Sequence, residues 1–156
     1  MTTKDEAGRI ARASGWLSQQ PEDFQSELLA RSSLRLYQKG ETLCHVGDPH
    51  DGVYGVVRGV VRIEFSTVGN TYRIAAVKQP VFWFGQAACF RKGGFYSTIT
   101  ATTPVTALVL PPHEFDRLIE TAAYCKAFAL LSLDHLEETA QSMGHLLVGD
   151  VEHRVA

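Results

Sequence analysis

The sequence is poor in cysteine and has neither an excess of basic residues nor a long apolar run. Its 156 residues contain three widely spaced cysteines, so neither a disulfide framework nor a CxxC metal site is indicated. Lysine and arginine number 15 against 17 acidic residues, which is a poor match for direct DNA binding. No stretch has the length of a membrane span, and no signal-peptide core is present. We expect a cytoplasmic protein without membrane contact.

The residue patterns of common enzyme classes are also missing. The six histidines never stand as HxH or four positions apart, so they do not predict a metal site of the cupin type. The GxSxG pattern and the P-loop are absent as well. We therefore expect no enzyme, no metal and no cofactor. His45, which we expect to point inward, and His113 remain conceivable haem ligands.

Between residues 33 and 110, short apolar or alternating runs are separated by turn residues. The runs are LRLY, TLCHV, VYGVV, VVRIEF, TYRIAAVK, STITA and VTALVL. The segments between them are rich in glycine, proline and aspartate, as in GDPHDG. Strands repeated about every 8–12 residues predict an antiparallel sandwich or barrel.

Helical patterns flank this β region on both sides. Pro21 is followed by two acidic residues, which is typical of a first helical turn, and Phe24 and Leu28 then share one face. After residue 112 the pattern becomes helical again, first in HEFDRLIET and then in a long segment from about Ala122.

The long C-terminal helix carries an apolar stripe at three- and four-residue spacing. The stripe consists of Ala129, Leu133, Leu136, Ala140, Met143 and Leu147. One interpretation is packing of this face on the helix's own sheet. The length and narrowness of the stripe favour a partner helix, and hence a parallel homodimer with an interface at Leu133, Leu136, Ala140, Met143 and Leu147.

The order of these segments carries a resemblance to a known family. LYQKGETLCHVGD followed by VYGVVRGVVRI resembles the cyclic-nucleotide-binding domain of the CRP/FNR transcription regulators, and FGQ, LPPHEFDRLI and LLVGDVEHRVA extend the match. The resemblance implies a mainly β fold with helices, a double-stranded β-helix jelly roll followed by a long dimerisation helix. It implies a sensor domain at 1–121, the dimerisation helix at 122–149, and the start of a DNA-binding domain at 150–156.

The resemblance also locates a ligand cassette between residues 84 and 101. In the cyclic-nucleotide binders, an arginine neutralises the phosphate and a glutamate accepts a ribose hydroxyl; the matching positions here are Phe95 and Gln86. Because both charges are missing, we expect no tight binding of cyclic AMP. The pocket is either filled and ligand-free or takes another small molecule. The implied ligand-binding residues are Gly85, Gln86, Ala87, Ala88, Phe95, Tyr96, Ser97 and Thr139.

The function implied is effector sensing and dimerisation in a CRP/FNR-like regulator. Thr139 corresponds to the residue of the long helix that reaches the ligand, although an ordinary surface threonine is an equal alternative. DVEHRVA matches the start of a winged helix-turn-helix, so we expect the sensor half of a longer regulator that contacts DNA through a domain absent from this chain. The alternative is a stand-alone module that regulates a protein partner.

Overall fold

The computed structural model describes residues 1–66 and 73–155, with side chains for residues 1–65 and 75–145. Five α-helices occur in this part of the chain: α1 Lys4–Ala13, α2 Glu22–Arg31, α3 Gln86–Arg91, α4 Pro112–Leu118 and α5 Ala122–Val155. The helices predicted after Pro21, in HEFDRLIET and from Ala122 are therefore confirmed. Within the described residues, none of the helices combines the length and the apolar character that crossing a bilayer requires.

Eight strands, arranged in two antiparallel sheets, form the centre of the described structure. The strands are β1 Ser33–Tyr37, β2 Thr42–Cys44, β3 Val53–Arg58, β4 Val61–Ser66, β5 Arg73–Lys78, β6 Phe82–Phe84, β7 Thr98–Ala101 and β8 Val105–Leu110. One sheet has the order β1-β8-β3-β6 and the other β2-β7-β4-β5. Two facing four-stranded sheets in this order make a jelly roll, which confirms the predicted fold.

Strand β6 was not predicted as a strand from the sequence. It is only three residues long and pairs with β3, where Gly55 lies opposite Trp83. A Cβ at Gly55 would lie 2.6 Å from the indole ring, so the missing side chain makes room for Trp83. A run of three aromatic residues is too short to show strand periodicity, which explains the omission.

Buried side chains form two apolar clusters, one on each face of the β1-β8-β3-β6 sheet. Successive strand residues point to opposite faces, so Val53 and Leu108 join the cluster under the helices, whereas Tyr54 and Val109 join the interior of the roll. Both faces of β3 and β8 are covered. This explains why their sequences are mostly apolar and do not alternate between polar and apolar residues.

Trp16 fixes the start of α5 against the roll. Its indole Nε1 donates a buried hydrogen bond of 3.1 Å to the carbonyl of Ala127. Its ring lies 5.4 Å from that of Phe128 and 5.6 Å from that of Trp83, between centroids. These contacts join α5 to the sheet through the segment before α2.

The stripe predicted on α5 does not pack on the sheet. The helix buries Ala127, Phe128 and Leu131 instead. Leu133 is 57% exposed and Leu136 65%, and the remaining described members of the stripe, Ala129, Ala140 and Met143, are exposed as well. The side chain of Leu147 lies outside the described residues. The described part of the stripe is therefore free to meet another surface.

Candidate ligand cassette

The cassette begins where β6 ends. Gly85 has φ of +101°, and a Cβ there would collide with the carbonyl oxygen of Gly52. Glycine is therefore required to turn the chain from β6 into α3, close to the strand start at Val53. Gln86 opens α3, followed by Ala87 and Ala88 in its first turn, and Ala88 is buried in the roll interior.

After α3, the chain is held against the loop between β2 and β3 by backbone hydrogen bonds. Phe95 N–H donates to the carbonyl of Asp48 at 3.0 Å, and Gly47 N–H donates to the carbonyl of Phe95 at 2.9 Å. Gly94 approaches Gly47 so closely that a Cβ there would lie 2.8 Å from its carbonyl oxygen. The cassette is thus fixed at both ends by glycines that permit close backbone contact.

Phe95 fills the space in which the resemblance places a phosphate-binding arginine. Its side chain is 7% exposed and belongs to the cluster inside the roll. The ring meets that of Tyr54 at 6.4 Å and 75°, and Tyr54 in turn stacks on Phe84 at 4.9 Å. Of the two alternatives for this pocket, the packing favours a roll interior filled by its own aromatic side chains.

The two residues that follow Phe95 are less buried than Phe95 itself. Tyr96 is 54% exposed. Ser97 is half-buried, and its carbonyl accepts a contact of 3.6 Å from the thiol of Cys44. The side chain of Phe95 therefore packs inside the roll, whereas most of Tyr96 faces solvent.

Gln86 reaches out of the cassette and contacts α5. It is 1% exposed, and its Nε2 lies 3.2 Å from Ser132 Oγ and 3.3 Å from His135 Nδ1. Its Oε1 is buried without a hydrogen-bond partner among the described residues. We did not predict Ser132 or His135 as site residues from the sequence. Their spacing of three residues, outside the apolar stripe, places them on one face of α5 and could have indicated a shared contact.

Thr139 lies further along α5, and its hydroxyl forms a hydrogen bond within the helix. The side chain is exposed, and Oγ1 donates to the backbone carbonyl of His135 at 2.8 Å. The described contact between the cassette and α5 is therefore made one turn earlier, at His135, rather than at Thr139.

Two charged side chains hydrogen-bond to the hydroxyl of Tyr54. The phenol donates to Asp51 Oδ1 at 2.8 Å and accepts from Arg35 Nη1 at 3.1 Å. Burial, with the Asp51 carboxylate beside it, raises the pKa of Tyr54, so the hydroxyl stays protonated at neutral pH. Arg35 is engaged by Tyr54 and Asp51, and its guanidinium lies 5.8 Å from the centroid of the Tyr54 ring.

The expectation that His45 points inward was wrong. Strand β2 ends at Cys44, so His45 lies in the following turn and is exposed, while Cys44 is buried. His135, by contrast, is half-buried on α5, and desolvation lowers its pKa. Burial also raises the pKa values of Cys44 and Cys89 to about 12, which keeps both thiols protonated and unreactive.

Comparison with known proteins agrees with this architecture. The family described as cyclic nucleotide-binding domain matches residues 34–122. The N-terminal domain of a transcriptional regulator from Streptomyces coelicolor A3(2) is similar at 27% identity and a TM-score of 0.64, over 83% of this chain and 94% of that one. No curated protein matches the sequence closely enough to count as a relative.

Two further solved structures share the fold at lower identity. The catabolite activator protein of Thermus thermophilus has a TM-score of 0.71 and 20% identity, over 85% of this chain and 63% of that one. The regulatory domain of Toxoplasma gondii PKA with cAMP has a TM-score of 0.73 and 16% identity, over 86% and 50%. The chain thus spans slightly less than two thirds of the activator's length. Because the family match covers more than half of its residues, the chain belongs to the cyclic nucleotide-binding domain family.

Proposed function

We propose that the chain is the effector-sensing and dimerising part of a cytoplasmic, DNA-binding transcription regulator of the CRP/FNR type. The observation that carries the proposal is the exposed stripe on α5. Leu133, Leu136 and Met143 are each more than half exposed on one face of a helix that extends beyond the roll. A matching helix from a second copy would bury this face as a parallel pair.

In this proposal the roll is not an enzyme, and it binds a small molecule other than cyclic AMP or none. Phe95 supplies no charge for a phosphate, and its ring already packs on Tyr54. Gln86 replaces the acidic residue that would accept a ribose hydroxyl, and it is engaged with Ser132. The absent arginine–phosphate pair alone would account for several kcal/mol of affinity, on the order of 2–5 kcal/mol.

The contact of Gln86 with α5 supplies a route from the cassette to the dimer helix. A shift of α3 would change the hydrogen bonds of Gln86 with Ser132 and His135. These two residues lie on α5 beside Leu133 and Leu136. Movement of the cassette would therefore reach the dimer seam without a contact at Thr139, and would pass along α5 to a DNA-binding domain outside residues 1–156.

Sedimentation equilibrium tests the dimer, and calorimetry tests the pocket. We expect a dimer at micromolar protein concentration, and no heat of binding with cyclic AMP or cyclic GMP at micromolar concentration. A monomer would contradict the dimerising role. A saturable isotherm with cyclic AMP would contradict the filled roll.

The competing proposal is a module that regulates a different protein. The same observation bears on it, because the exposed leucines of α5 would then pack on that partner. A chain that stays monomeric in sedimentation would favour this proposal over the regulator, since its stripe would need a partner other than itself.

A further inference from the structure

The side-chain amide of Gln86 is buried between α3 and α5, and only one of its two polar ends is hydrogen-bonded. Its Nε2 lies 3.2 Å from Ser132 Oγ and 3.3 Å from His135 Nδ1. Its Oε1 finds no partner in the part of the chain that the structure describes. The residue is 1% exposed, so Oε1 is also kept from solvent. A buried polar atom without a partner is rare in a folded protein and calls for an explanation.

The contact with His135 determines where the protons of the two side chains lie. An amide nitrogen only donates hydrogen bonds, so Nε2 of Gln86 can face Nδ1 of the imidazole only while Nδ1 is unprotonated. Neutral His135 must therefore carry its proton on the other ring nitrogen. When the imidazole becomes charged, Nδ1 gains a proton, and two N–H groups would then face each other across 3.3 Å.

Rotation of the Gln86 amide resolves this conflict without movement of the backbone. A half-turn about its last side-chain torsion exchanges the positions of Oε1 and Nε2. Oε1 then accepts a charge-assisted hydrogen bond from Nδ1–H of His135. It also accepts from the hydroxyl of Ser132, which before the rotation donates to the carbonyl of Phe128 at 3.5 Å. One end of the amide is unpaired in both orientations, so the unpaired oxygen is the feature that makes the exchange possible.

Charged groups from α5 and β5 face the imidazole and set the pH at which it takes up a proton. Burial holds its pKa below the ordinary value, and Lys78 adds to this effect, whereas Glu138 and Asp134 oppose it. From β6, the carbonyl of Trp83 accepts a hydrogen bond from the imidazole, and the ring of Phe82 lies 5.7 Å away between centroids. Protonation is therefore expected in mildly acidic solution, below the ordinary histidine value of about 6.5.

We propose that Gln86, Ser132 and His135 form a proton-driven switch, in which protonation of the imidazole turns the Gln86 amide over and changes the pairing of α3 with α5. At neutral pH the cassette donates hydrogen bonds to α5, and after protonation it accepts them. Ser132 changes with it, because its hydroxyl turns away from the carbonyl of Phe128. The switch lies within one chain; only its effect on a dimer rests on the proposed function.

Nuclear magnetic resonance of the imidazole nitrogens tests the neutral state of the switch. Long-range proton–nitrogen correlation spectra distinguish a protonated from an unprotonated ring nitrogen, and the variant His135→Gln assigns the signals of this histidine. We expect Nδ1 of His135 to be unprotonated at about pH 8. A proton on Nδ1 at this pH would overturn the proposal, because Nε2 of Gln86 could not then face it.

Titration of the same protein to about pH 5 tests the rotation. The side-chain amide signals of Gln86 should shift with the same midpoint as the ring signals of His135. Nuclear Overhauser contacts from the amide protons of Gln86 to Ser132 should disappear, while those from its CH2 protons to α5 remain. Amide signals that ignore the His135 midpoint would overturn the proposal. Loss of both sets of contacts would overturn it as well, because the junction would then open rather than exchange partners.

The substitution Gln86→Glu provides an acceptor that needs no rotation. Its carboxylate accepts from Nδ1–H of His135 directly, so the His135 midpoint should rise by about one pH unit or more. Gln38→Glu makes the same change of charge at an exposed position after β1 and should leave the midpoint unchanged. Circular dichroism checks that both variants are folded, and the titration of the parent decides the proposal even if Gln86→Glu is not. Equal midpoints in the two folded variants would show that residue 86 does not face the imidazole.

Discussion

The side-chain amide of Gln86 lies 3.3 Å from Nδ1 of His135, and this contact joins the first turn of α3 to the long helix α5. Ser132 completes the junction at 3.2 Å from the same amide. Both partners are half-buried residues of α5 that lie next to the exposed stripe. A movement of the cassette would therefore change the hydrogen bonds that it makes with the helix that we propose to dimerise.

His135 makes the stability of this junction depend on pH. Its pKa is lowered mainly by burial, and to a lesser degree by Lys78, while Glu138 and Asp134 oppose the shift. The folded state thus holds fewer protons than the unfolded state as pH falls below the ordinary histidine value of about 6.5. The contribution of neutral His135 to stability should be fully present above that value. It should be lost as the pH falls through that value towards the lowered pKa.

The substitution His135→Gln should remove this part of the acid dependence. Thermal midpoints measured between about pH 7.5 and pH 5 should fall less steeply for the variant than for the parent. His45→Gln, at an exposed histidine, serves as the control and should keep the parent slope. An identical slope for all three proteins would show that His135 is not the group responsible.

Turn chemistry and apolar runs predicted most of the fold from the sequence. The predicted runs between Leu34 and Leu110 form strands. Glycines such as Gly40 and Gly59 adopt positive φ in the turns that separate these strands. Strand β6 was missed because its three residues are too few for periodicity to appear. Its pairing depends on Gly55, whose lack of a side chain leaves space for an indole from a distant part of the chain.

The candidate site was less predictable than the fold. The positions of Gln86 and Phe95 in the cassette followed from the resemblance to the CRP/FNR family, but the directions of their side chains did not. Phe95 packs inward because the backbone bonds to Asp48 and Gly47 hold it there, and such long-range pairing leaves no local signal. The partners of Gln86 on α5 depend on how the helix docks, which Trp16 controls.

Replacement of Phe95 by alanine tests whether the roll interior is a filled core. The side chain is 7% exposed and packs on Tyr54, so Phe95→Ala should lower the free energy of unfolding by about 3–5 kcal/mol. Tyr96→Ala removes a neighbouring ring that is 54% exposed and should change it by no more than about 0.5 kcal/mol. Urea unfolding of both variants measures the difference. Equal losses would mean that Phe95 does not lie in the core.

The two adjacent glycines of the cassette should respond differently to alanine. At Gly94 a Cβ would lie 2.8 Å from the carbonyl oxygen of Gly47, so Gly94→Ala should push the cassette away from the loop after β2. The expected loss of stability is about 1–3 kcal/mol. At Gly93 nothing lies within 4 Å of the added carbon, so Gly93→Ala is the control and should be nearly neutral. Equal melting temperatures for the two variants would contradict the close approach.

A charge in the middle of the α5 stripe tests the dimer seam. Leu136 is 65% exposed in the single chain, so Leu136→Lys should leave the fold intact, yet burying its ammonium against a second helix would be costly. We expect a monomer by sedimentation and by size-exclusion chromatography with light scattering, with an unchanged melting temperature once dilution has separated the parent dimer. Leu36→Lys makes the same substitution at a leucine of β1 that is 49% exposed and away from α5, and it should remain dimeric. A dimer that survives Leu136→Lys would place the contact between copies on another surface, and monomers of both variants would show that added charge alone separates the subunits.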